Sequence, residues 1–558
     1  MADTNQVHDV VIIGAGVGGL TAAIMMQKNH YYNYTIYEMA SDLGGTWQQN
    51  VYPGCACDIP AHWYSLSIDP NPDWTCLFAS REEIYKYWKR LAQKHDIQPR
   101  IKFNTKFISA VWNEKQQNYT LKLQDSKTKE FREVKAKLVI SAIGVFHHPR
   151  WPDIPGRESF QGKILHAQMW DHSVGLSGKR VGLIGNGCAG SQILSVITEE
   201  RSTTVVNFCR TPSWYIPRPQ MQVPPVIRWI FRYVPFALKS LRYTLAGTCE
   251  LLYHHYKDNF ISNFARGLVE KAMIYRMKSI VPAKYHKNLT PNYPFGCKRV
   301  VFDPGYLKAL SRPNAEMEWD PIARITPTGI ETKSGKEHQL DVIAFATGFE
   351  IADSMTLDVT GVNGIRLKEY YDEQGGPTGF MGTTVPGFPN WVTLFGPNSA
   401  TGHASVIFME ELHMNYIIKL FKPVLDGKAA SIAPRAHSTR KFNDWLQYNL
   451  KGHVWPGCHS WYRKDGGGKI TALWPGGNAH MWWTFRKPNW ENYEVVGAKN
   501  WARKQQVFQV IASVLQLGLL AAGAGALALV KTGGWDDFVA VHGETVKNLI
   551  DSVRTSLP

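Results

Sequence analysis

Near its start the chain contains Val10-Val-Ile-Ile-Gly14-Ala-Gly16-Val-Gly-Gly19, followed by an Ala- and Met-rich stretch that favours a helix. An apolar strand that leads through a GxGxxG loop into a helix is typical of a dinucleotide-binding Rossmann unit. The three glycines let the backbone approach a pyrophosphate, and the helix N-terminus adds amide donors and a positive dipole end. The next strand ends at Glu38, whose carboxylate suits ribose hydroxyls and disfavours a 2′-phosphate. This half is therefore expected to hold FAD.

A second strand and glycine loop follow, with Gly185-Asn-Gly187-Cys-Ala-Gly190 in the same GxGxxG spacing. The strand after it runs into Arg210 and Thr211 instead of an acidic residue. A guanidinium at this point can hold a 2′-phosphate through two charge-assisted bonds, so the second nucleotide is expected to be NADPH rather than NADH. A surface arginine without a ligand is the alternative.

The two units predict an α/β fold with two Rossmann-like domains, one for FAD and one for NADPH. At 558 residues the chain is too long for one hydrophobic core. We expect an FAD domain in two parts, 1–145 and 336–500, joined through an interdomain linker, 146–175. The NADPH domain is expected at 176–335 with a helical insertion at 220–295. A C-terminal hydrophobic helix at 507–530 and a short tail at 531–558 complete the prediction.

Between the glycine loops lies Phe160-Gln-Gly162-Lys-Ile-Leu-His166-Ala-Gln-Met-Trp170-Asp. Its FxGxxxHxxxW spacing resembles the fingerprint of the type I Baeyer–Villiger monooxygenases, a class B flavoprotein family. The stretch from Gly44 to Asp58 resembles the second signature of that family, GGxWxxxxYPGxxxD, at every fixed position. The resemblance covers residues 8–490 and implies a flavin-dependent monooxygenase.

The resemblance also implies site residues. Those that line the flavin are Thr46, Trp47, Asp58 and Tyr64, with Asp58 near the reacting face. Arg299 is the catalytic arginine that reaches the flavin, and Lys298 assists at the NADPH 2′-phosphate. Trp461 packs over nicotinamide or substrate. For Lys298 and Arg299 the competing interpretation is a basic pair on a loop. For Trp461 it is a structural tryptophan.

Two fingerprint residues, His166 and Trp170, are further candidates for a part in catalysis. Because His166 lies in the expected linker, we favour support of a hinge or a hydrogen bond as its role. Direct proton transfer is the alternative.

A flavin beside an NADPH site without a redox-active cysteine pair indicates O2 as the electron acceptor. We expect NADPH to reduce FAD and O2 to form a flavin C4a-peroxide. Arg299, oriented by Asp58, would stabilise that anion while oxygen enters next to a ketone carbonyl and gives an ester or lactone. The tail and the insertion resemble fungal secondary-metabolism members, which implies a bulky hydrophobic ketone. An N- or S-oxygenating flavin monooxygenase and a membrane-held flavin reductase or non-catalytic flavoprotein stay open.

The net charge limits the classes of binding partner, and the cysteine spacing bears on redox state and metal binding. The formal net charge of +16 suits anionic cofactors or an anionic membrane surface, but the basic residues are dispersed and no nucleic-acid recognition module is present. The eight cysteines are scattered, without a CxxC pair or metal-ligand spacing. They are expected to be reduced thiols, and no metal site is expected.

The insertion contains an apolar and aromatic stretch, Val226–Tyr243, that Pro235 should kink. Its basic residues lie in one sector of a helical wheel: Arg228, Arg232, Lys239 and Arg242. The favoured interpretation is a helical insertion with a solvated basic face. The alternative is an amphipathic surface that rests on anionic lipid.

The C-terminal segment Val507–Val530 carries no charged residue, and Lys499, Arg503 and Lys504 precede it. As a helix it would span about 36 Å, against a hydrocarbon core of about 30 Å. The pattern predicts a single-pass membrane anchor with the catalytic domains in the cytosol. A helix packed on the protein or lying on a bilayer is the alternative, with a cytoplasmic enzyme. The sequence does not indicate an oligomeric state.

Overall fold

The computed structural model describes residues 7–146, 148–351 and 355–498, and beyond them only isolated positions between 501 and 518. Two β-sheets whose central strands are parallel, each packed with helices, form the two halves that the glycine loops predict. The predicted α/β class with two Rossmann-like units is confirmed.

The first sheet has eight strands. At its centre Val7–Ile13 pairs in parallel with Tyr34–Tyr37 on one side and Phe131–Ser141 on the other. Strands from the later part of the chain complete the sheet, so the FAD half is assembled from two chain segments. In sheet order the strands are Val359–Thr360, Thr105–Asn113, Asn118–Asp125, Phe131–Ser141, Val7–Ile13, Tyr34–Tyr37 and Ile101–Lys102, while Trp391–Thr393 pairs with Phe131–Ser141.

The central strand of this sheet is buried on both faces. Val10 and Ile12 enter one core, which they share with the helix Val17–Lys28, whereas Val11 and Ile13 enter the core on the opposite face. Successive strand residues alternate between faces, and a sheet covered on both sides needs apolar residues at all of them. This is why the run before the first glycine loop is continuously apolar.

The second sheet has five parallel strands, in the order Ala315–Glu318, Thr204–Phe208, Arg180–Ile184, Val342–Phe345 and Lys163–His166. Two predicted boundaries are corrected by this order. The fingerprint segment 163–166 is an edge strand of the second sheet rather than part of a linker. The strand 342–345 also belongs to the second sheet, so the second part of the FAD domain begins after it and not at 336.

The remaining elements surround these sheets. The other helices are Thr46–Gln49, Arg81–Lys94, Cys188–Ile197, His286–Leu289, Tyr306–Ala309, Leu367–Glu373, Val406–Leu425, Ala436–Leu450 and Asn478–Phe485, and those of the insertion are given below. Short 3-10 turns lie at Gln98–Arg100, Arg157–Ser159, His254–Tyr256, Ala283–Tyr285, Val362–Gly364, Trp455–Gly457, Lys464–Gly466 and Trp490–Asn492. Three small sheets pair Tyr215–Pro217 with Val301–Asp303, Ser431–Pro434 with Tyr493–Val496, and Ile322–Thr326 with Gly329–Thr332 and Glu337–Gln339.

The insertion forms three helices: Pro225–Tyr233, Ala237–Tyr253 and Phe260–Ile280. The first helix ends before Pro235 and a second one begins after it, so the predicted kink is a complete break. The expected solvated basic face is wrong for Arg242, which is buried and donates to the carbonyl of His62 and the hydroxyl of Ser65. A helical wheel fixes which residues share a face, but not which face meets the rest of the protein.

Most of the apolar segment Val507–Val530 lies outside the described residues. Within the part of the chain that the structure describes, no helix combines the length and the apolar character needed to cross a bilayer.

Candidate active site

One cavity of about 1260 Å³ lies between the two halves. The first glycine loop lines it with Gly14 and Gly16, and the second lines it with Gly185 and Gly187. This volume exceeds that of an ordinary small-ligand site, which is about 300–1000 Å³. A cavity lined by both loops has room for two nucleotides.

The third glycine of each loop has a different task. Neither Gly19 nor Gly190 lines the cavity. A Cβ atom on Gly19 would lie 1.9 Å from the carbonyl oxygen of Gly14, and one on Gly190 would lie 2.2 Å from that of Gly185. Only glycine allows the helix to approach the strand so closely, which brings the helix N-terminus up to the cavity. The backbone therefore fits a pyrophosphate at both loops.

Glu38 lies at the end of its strand, buried, and lines the cavity. One carboxylate oxygen accepts from the backbone N–H of Ala15 at 2.7 Å and the other from that of Ala40 at 2.8 Å. Burial raises the pKa of Glu38, and these amide donors partly offset that effect. The Glu38 side chain thus holds the glycine loop through the N–H of Ala15 and also lines the cavity, where the sequence predicts the ribose.

The four residues expected to line the flavin all line this cavity: Thr46, Trp47, Asp58 and Tyr64. Trp47 donates through its indole N–H to the hydroxyl of Tyr64 at 3.1 Å, and the two rings meet edge to face at 5.6 Å. A backbone turn with positive φ at Gly45 begins the short helix that carries Trp47. The signature stretch therefore forms one wall of the cavity.

Arg299 crosses from the second half to that wall. Its Nε and Nη2 atoms donate to Oδ2 of Asp58 at 3.0 and 2.5 Å, and its Nη1 donates to the carbonyl oxygen of Gly402 at 3.0 Å. Burial alone would lower the pKa of Arg299, but the Asp58 carboxylate outweighs it and the pKa lies above its usual value. Three directed bonds hold a permanent cation at the cavity.

The segment that carries Arg299 is tied to a distant loop by a disulfide between Cys297 and Cys458, whose Cα atoms are 6.2 Å apart. The expectation that all eight cysteines are reduced thiols is wrong for this pair. The two residues are 161 positions apart, so no spacing pattern in the sequence connects them. The tied loop continues into Trp461, which lines the cavity.

Arg210, Thr211 and Lys298 line the cavity together. Burial lowers the pKa of Lys298, and the nearby positive charge of Arg210 lowers it further. The Lys298 ammonium also lies 4.5 Å from the ring centroid of Tyr293. Two neighbouring cations at a cavity wall are suited to an anion with two negative charges, such as a phosphate monoester.

His166 and Trp170 are buried but do not line the cavity. His166 ends the edge strand of the second sheet, and burial lowers its pKa to about 4. Its Nδ1 accepts from the backbone N–H of Gln168 at 3.2 Å, and the side-chain amide of Gln168 donates to Oε1 of Gln49, a cavity residue, at 3.1 Å. Neither residue is therefore part of the cavity wall, and a part for His166 and Trp170 in catalysis or in hinge support stays a prediction.

Sequence reasoning missed Glu410, which lies on the helix Val406–Leu425 and lines the cavity. Burial and the neighbouring carboxyl of Glu411 raise its pKa to about 8. A Cβ atom on Gly18 would lie 3.1 Å from its Oε1. Two adjacent acids inside an otherwise apolar helix were the signal that could have revealed it.

Within the described ranges no three His, Cys, Asp or Glu side chains are grouped so that they could hold a metal ion.

Comparison with known proteins places these features in context. Residues 7–248 match the family model described as flavin-binding monooxygenase-like. A Baeyer-Villiger monooxygenase of Streptomyces coelicolor is 34% identical over 505 residues, which cover 89% of this chain and 95% of the relative. The FAD-binding monooxygenase ktnD of Aspergillus niger is 34% identical over 485 residues, which cover 84% of this chain and 78% of the relative. An oxidized steroid monooxygenase bound to NADP superposes with a TM-score of 0.76 at 25% identity, covering 88% of this chain and 100% of the other.

Proposed function

This chain belongs to the Baeyer–Villiger monooxygenase family, and from that premise we propose that Arg299, held by Asp58, directs the insertion of one oxygen atom of O2 next to the carbonyl of a bulky hydrophobic ketone. FAD and NADPH are the cofactors of the reaction, and the product is an ester or lactone. The observation that carries the proposal is the placement of the guanidinium at the wall of a cavity that both nucleotide loops line.

The cofactor assignments follow from the charges of the two halves. Glu38 offers a carboxylate to ribose and repels a 2′-phosphate, which favours FAD at the first loop. Arg210 and Lys298 offer two positive charges, which favours NADPH at the second. When both are bound, NADPH reduces the flavin and the reduced flavin activates O2.

Arg299 suits the insertion step because arginine stays protonated at any working pH. A positive charge at the cavity wall would stabilise the negative charge that develops on the oxygen of a ketone bound beside it. Asp58 fixes the orientation of the guanidinium. The bond from Arg299 to the Gly402 carbonyl holds the guanidinium at a second point and so restricts its rotation. The cation is therefore in place before substrate arrives, and no reorganisation is needed.

Water exclusion is the second requirement, since activated oxygen that meets water is released as hydrogen peroxide. Trp461 contacts Tyr462 with ring centroids 4.5 Å apart and faces Phe146 at 6.1 Å. We assign these rings as the cover of the cavity. The disulfide that begins at Cys297 holds this cover to the segment of Arg299.

A bulky apolar substrate is the class that we propose. Support comes from the size of the cavity, and from similar proteins whose names refer to a steroid substrate or that come from Aspergillus species. An N- or S-oxygenating activity and a plain flavin reductase are the alternatives that the assay below separates.

The test replaces Arg299 by Ala. Product formation should fall by about 10²–10³-fold, because one preorganised charge is removed from the transition state. NADPH oxidation should continue, with hydrogen peroxide released in its place. Arg324→Ala is the matched control, since Arg324 forms an exposed two-bond pair with Glu331 and neither residue lines the cavity. Ketone oxygenation at the parental rate in the Arg299 variant would refute the proposed role.

We also propose, from the sequence of Val507–Val530, that the C-terminal segment anchors the enzyme in a membrane with its catalytic domains in the cytosol. Removing residues 505–558 should release the flavin-loaded enzyme from membrane pellets washed at high salt, which screens surface charge, whereas the full chain should stay in the pellet. An enzyme of full length that stays in the supernatant would contradict the anchor.

A further inference from the structure

The three insertion helices present large apolar side chains to solvent. Phe236 is 75% exposed, Phe260 is 87% exposed and Ile261 is 78% exposed. Trp229 and Tyr233 are exposed as well, and their rings lie 5.5 Å apart. A folded protein rarely leaves so many large apolar side chains of one insertion in water unless another surface covers them. We call this set, with the residues of the next paragraph, the insertion face.

Exposed apolar residues form a stripe on the first and the third insertion helices. In the third insertion helix Phe260, Phe264 and Leu268 follow one another at intervals of four, and all three are exposed. In the first, Val226 and Trp229 are exposed at an interval of three. Exposure on a regular stripe differs from single apolar residues scattered over a surface, which need no explanation.

The opposite side of the helices is fixed to the protein. Arg242 is buried and binds the His62 carbonyl, and the ring of Phe231 packs on His62 at 5.1 Å. Between the first two helices Phe236 has φ 66°, a left-handed conformation that bulky residues seldom adopt. These contacts fix the first two helices to the protein on the side opposite their exposed aromatic residues.

The charge of the insertion helices selects the partner. Residues 225–280 contain nine Lys and Arg and three Asp and Glu. Four of the cations are buried or paired: Arg242 and Arg266 are buried, and Arg232 and Arg276 bind Asp73 and Asp303. Glu250 and Glu270 accept from the backbone N–H groups of Asn478 and Phe295. Exposed cations such as Lys239 and Lys271 are left beside the apolar stripes. A second copy of so positive a surface would be repelled, whereas an anionic lipid surface would attract it.

We propose that the insertion face docks on the headgroup region of an anionic lipid bilayer, with Phe236 and Phe260 entering the acyl boundary and the lysines meeting the headgroups. The second insertion helix leads directly to Tyr256, which donates to the Gly402 carbonyl that also receives Arg299. Docking would thus bring the cavity beside lipid in which an apolar ketone dissolves, a consequence that rests on the proposed function. The docking itself does not depend on that activity.

The experiment places the photoreactive amino acid benzoylphenylalanine at Phe236 or Phe260 in the full chain. Phe131, which is exposed at the start of the strand Phe131–Ser141 in the first sheet, is the matched control. Illumination with vesicles of phosphatidylcholine and phosphatidylserine should give lipid adducts by mass spectrometry at 236 and 260 but not at 131. The adducts should be lost when phosphatidylserine is omitted or salt is raised.

Three outcomes would overturn the docking. One is lipid labelling at 131 as strong as at 236 and 260, because the chain would then contact the bilayer without a preference for the insertion face. Another is cross-linking of 236 or 260 to a second copy of the chain. The third is the absence of lipid adducts at both positions while the enzyme still oxidises NADPH, which shows that it is folded.

Discussion

Replacing Glu410 by Gln should change how the stability of the enzyme depends on pH. Glu410 is only 6% exposed, and burial with the adjacent Glu411 carboxyl raises its pKa from 4.5 to about 8. The folded enzyme therefore keeps a proton on Glu410 at neutral pH, whereas the unfolded chain has released it. Glutamine has nearly the same shape as the protonated acid and does not titrate.

The sign follows from the direction of the shift. A folded pKa above the unfolded value gives stability that is fully present below pH 4.5 and is lost as pH rises toward about 8. Each pH unit in this window costs about 1.4 kcal/mol, so roughly 3 kcal/mol is lost by pH 7. The loss should be absent in Glu410→Gln. Bound FAD would add negative charge near Gly18 and keep the proton on Glu410 at still higher pH.

The assay is thermal unfolding of the flavin-loaded enzyme at a series of pH values from about 5 to 8. The melting temperature of Glu410→Gln should rise relative to the parent as pH increases, by a few degrees at the upper end. Glu133→Gln, on an exposed strand position, is the matched control and should run parallel to the parent. Parallel curves for Glu410→Gln as well would show that Glu410 is ionised in the folded enzyme and would refute the reasoning.

Three further predictions concern the cavity. Arg210→Ala should raise the KM for NADPH about 10–100-fold, because charge-assisted bonds to a 2′-phosphate are lost, and leave the KM for NADH nearly unchanged; equal effects would contradict the assignment. Gly190→Ala should abolish NADPH binding but leave the flavin spectrum, whereas Gly19→Ala should abolish FAD retention, since the new Cβ atoms would lie 2.2 and 1.9 Å from a carbonyl oxygen; loss of both cofactors in either variant would show general misfolding instead. Cys458→Ser should increase hydrogen peroxide release per NADPH, as should reduction of the parent enzyme, and unchanged coupling in both would mean that the disulfide does not hold the cover.

The glycine loops could be predicted because their signal is local. A strand, three glycines and a helix lie within a few residues of one another, and the backbone chemistry that needs them is the same in any sequence. Glu38 and Arg210 follow the loops at fixed places for the same reason. These positions lie in the structure where the sequence predicts them, at the cavity.

The corrections all concern partners that are far apart in the sequence. The strand Lys163–His166 was assigned to a linker because an edge strand is defined by its partner, and that partner, Val342–Phe345, follows after more than 170 residues. The disulfide between Cys297 and Cys458 was also not predicted, because these two residues are 161 positions apart. Tertiary contacts decide such features, and a single sequence does not contain their pairing.

The orientation of the insertion was also beyond the sequence. Periodicity placed the arginines on one side of the helix, and solvent was the natural place for them. The structure instead buries Arg242 against His62 and leaves Trp229 and Phe236 exposed. A buried arginine is tolerated where its guanidinium finds acceptors, so polarity alone does not determine which side of a helix faces the protein.

The most direct test of the account is to supply heavy-isotope-labelled dioxygen with NADPH and a panel of bulky cyclic ketones and to weigh the products by mass spectrometry. The account predicts a lactone that has gained one labelled oxygen atom, with NADPH consumed in equal amount. Ketones that are recovered unchanged while labelled hydrogen peroxide accumulates in proportion to NADPH, from enzyme that retains FAD, would contradict it.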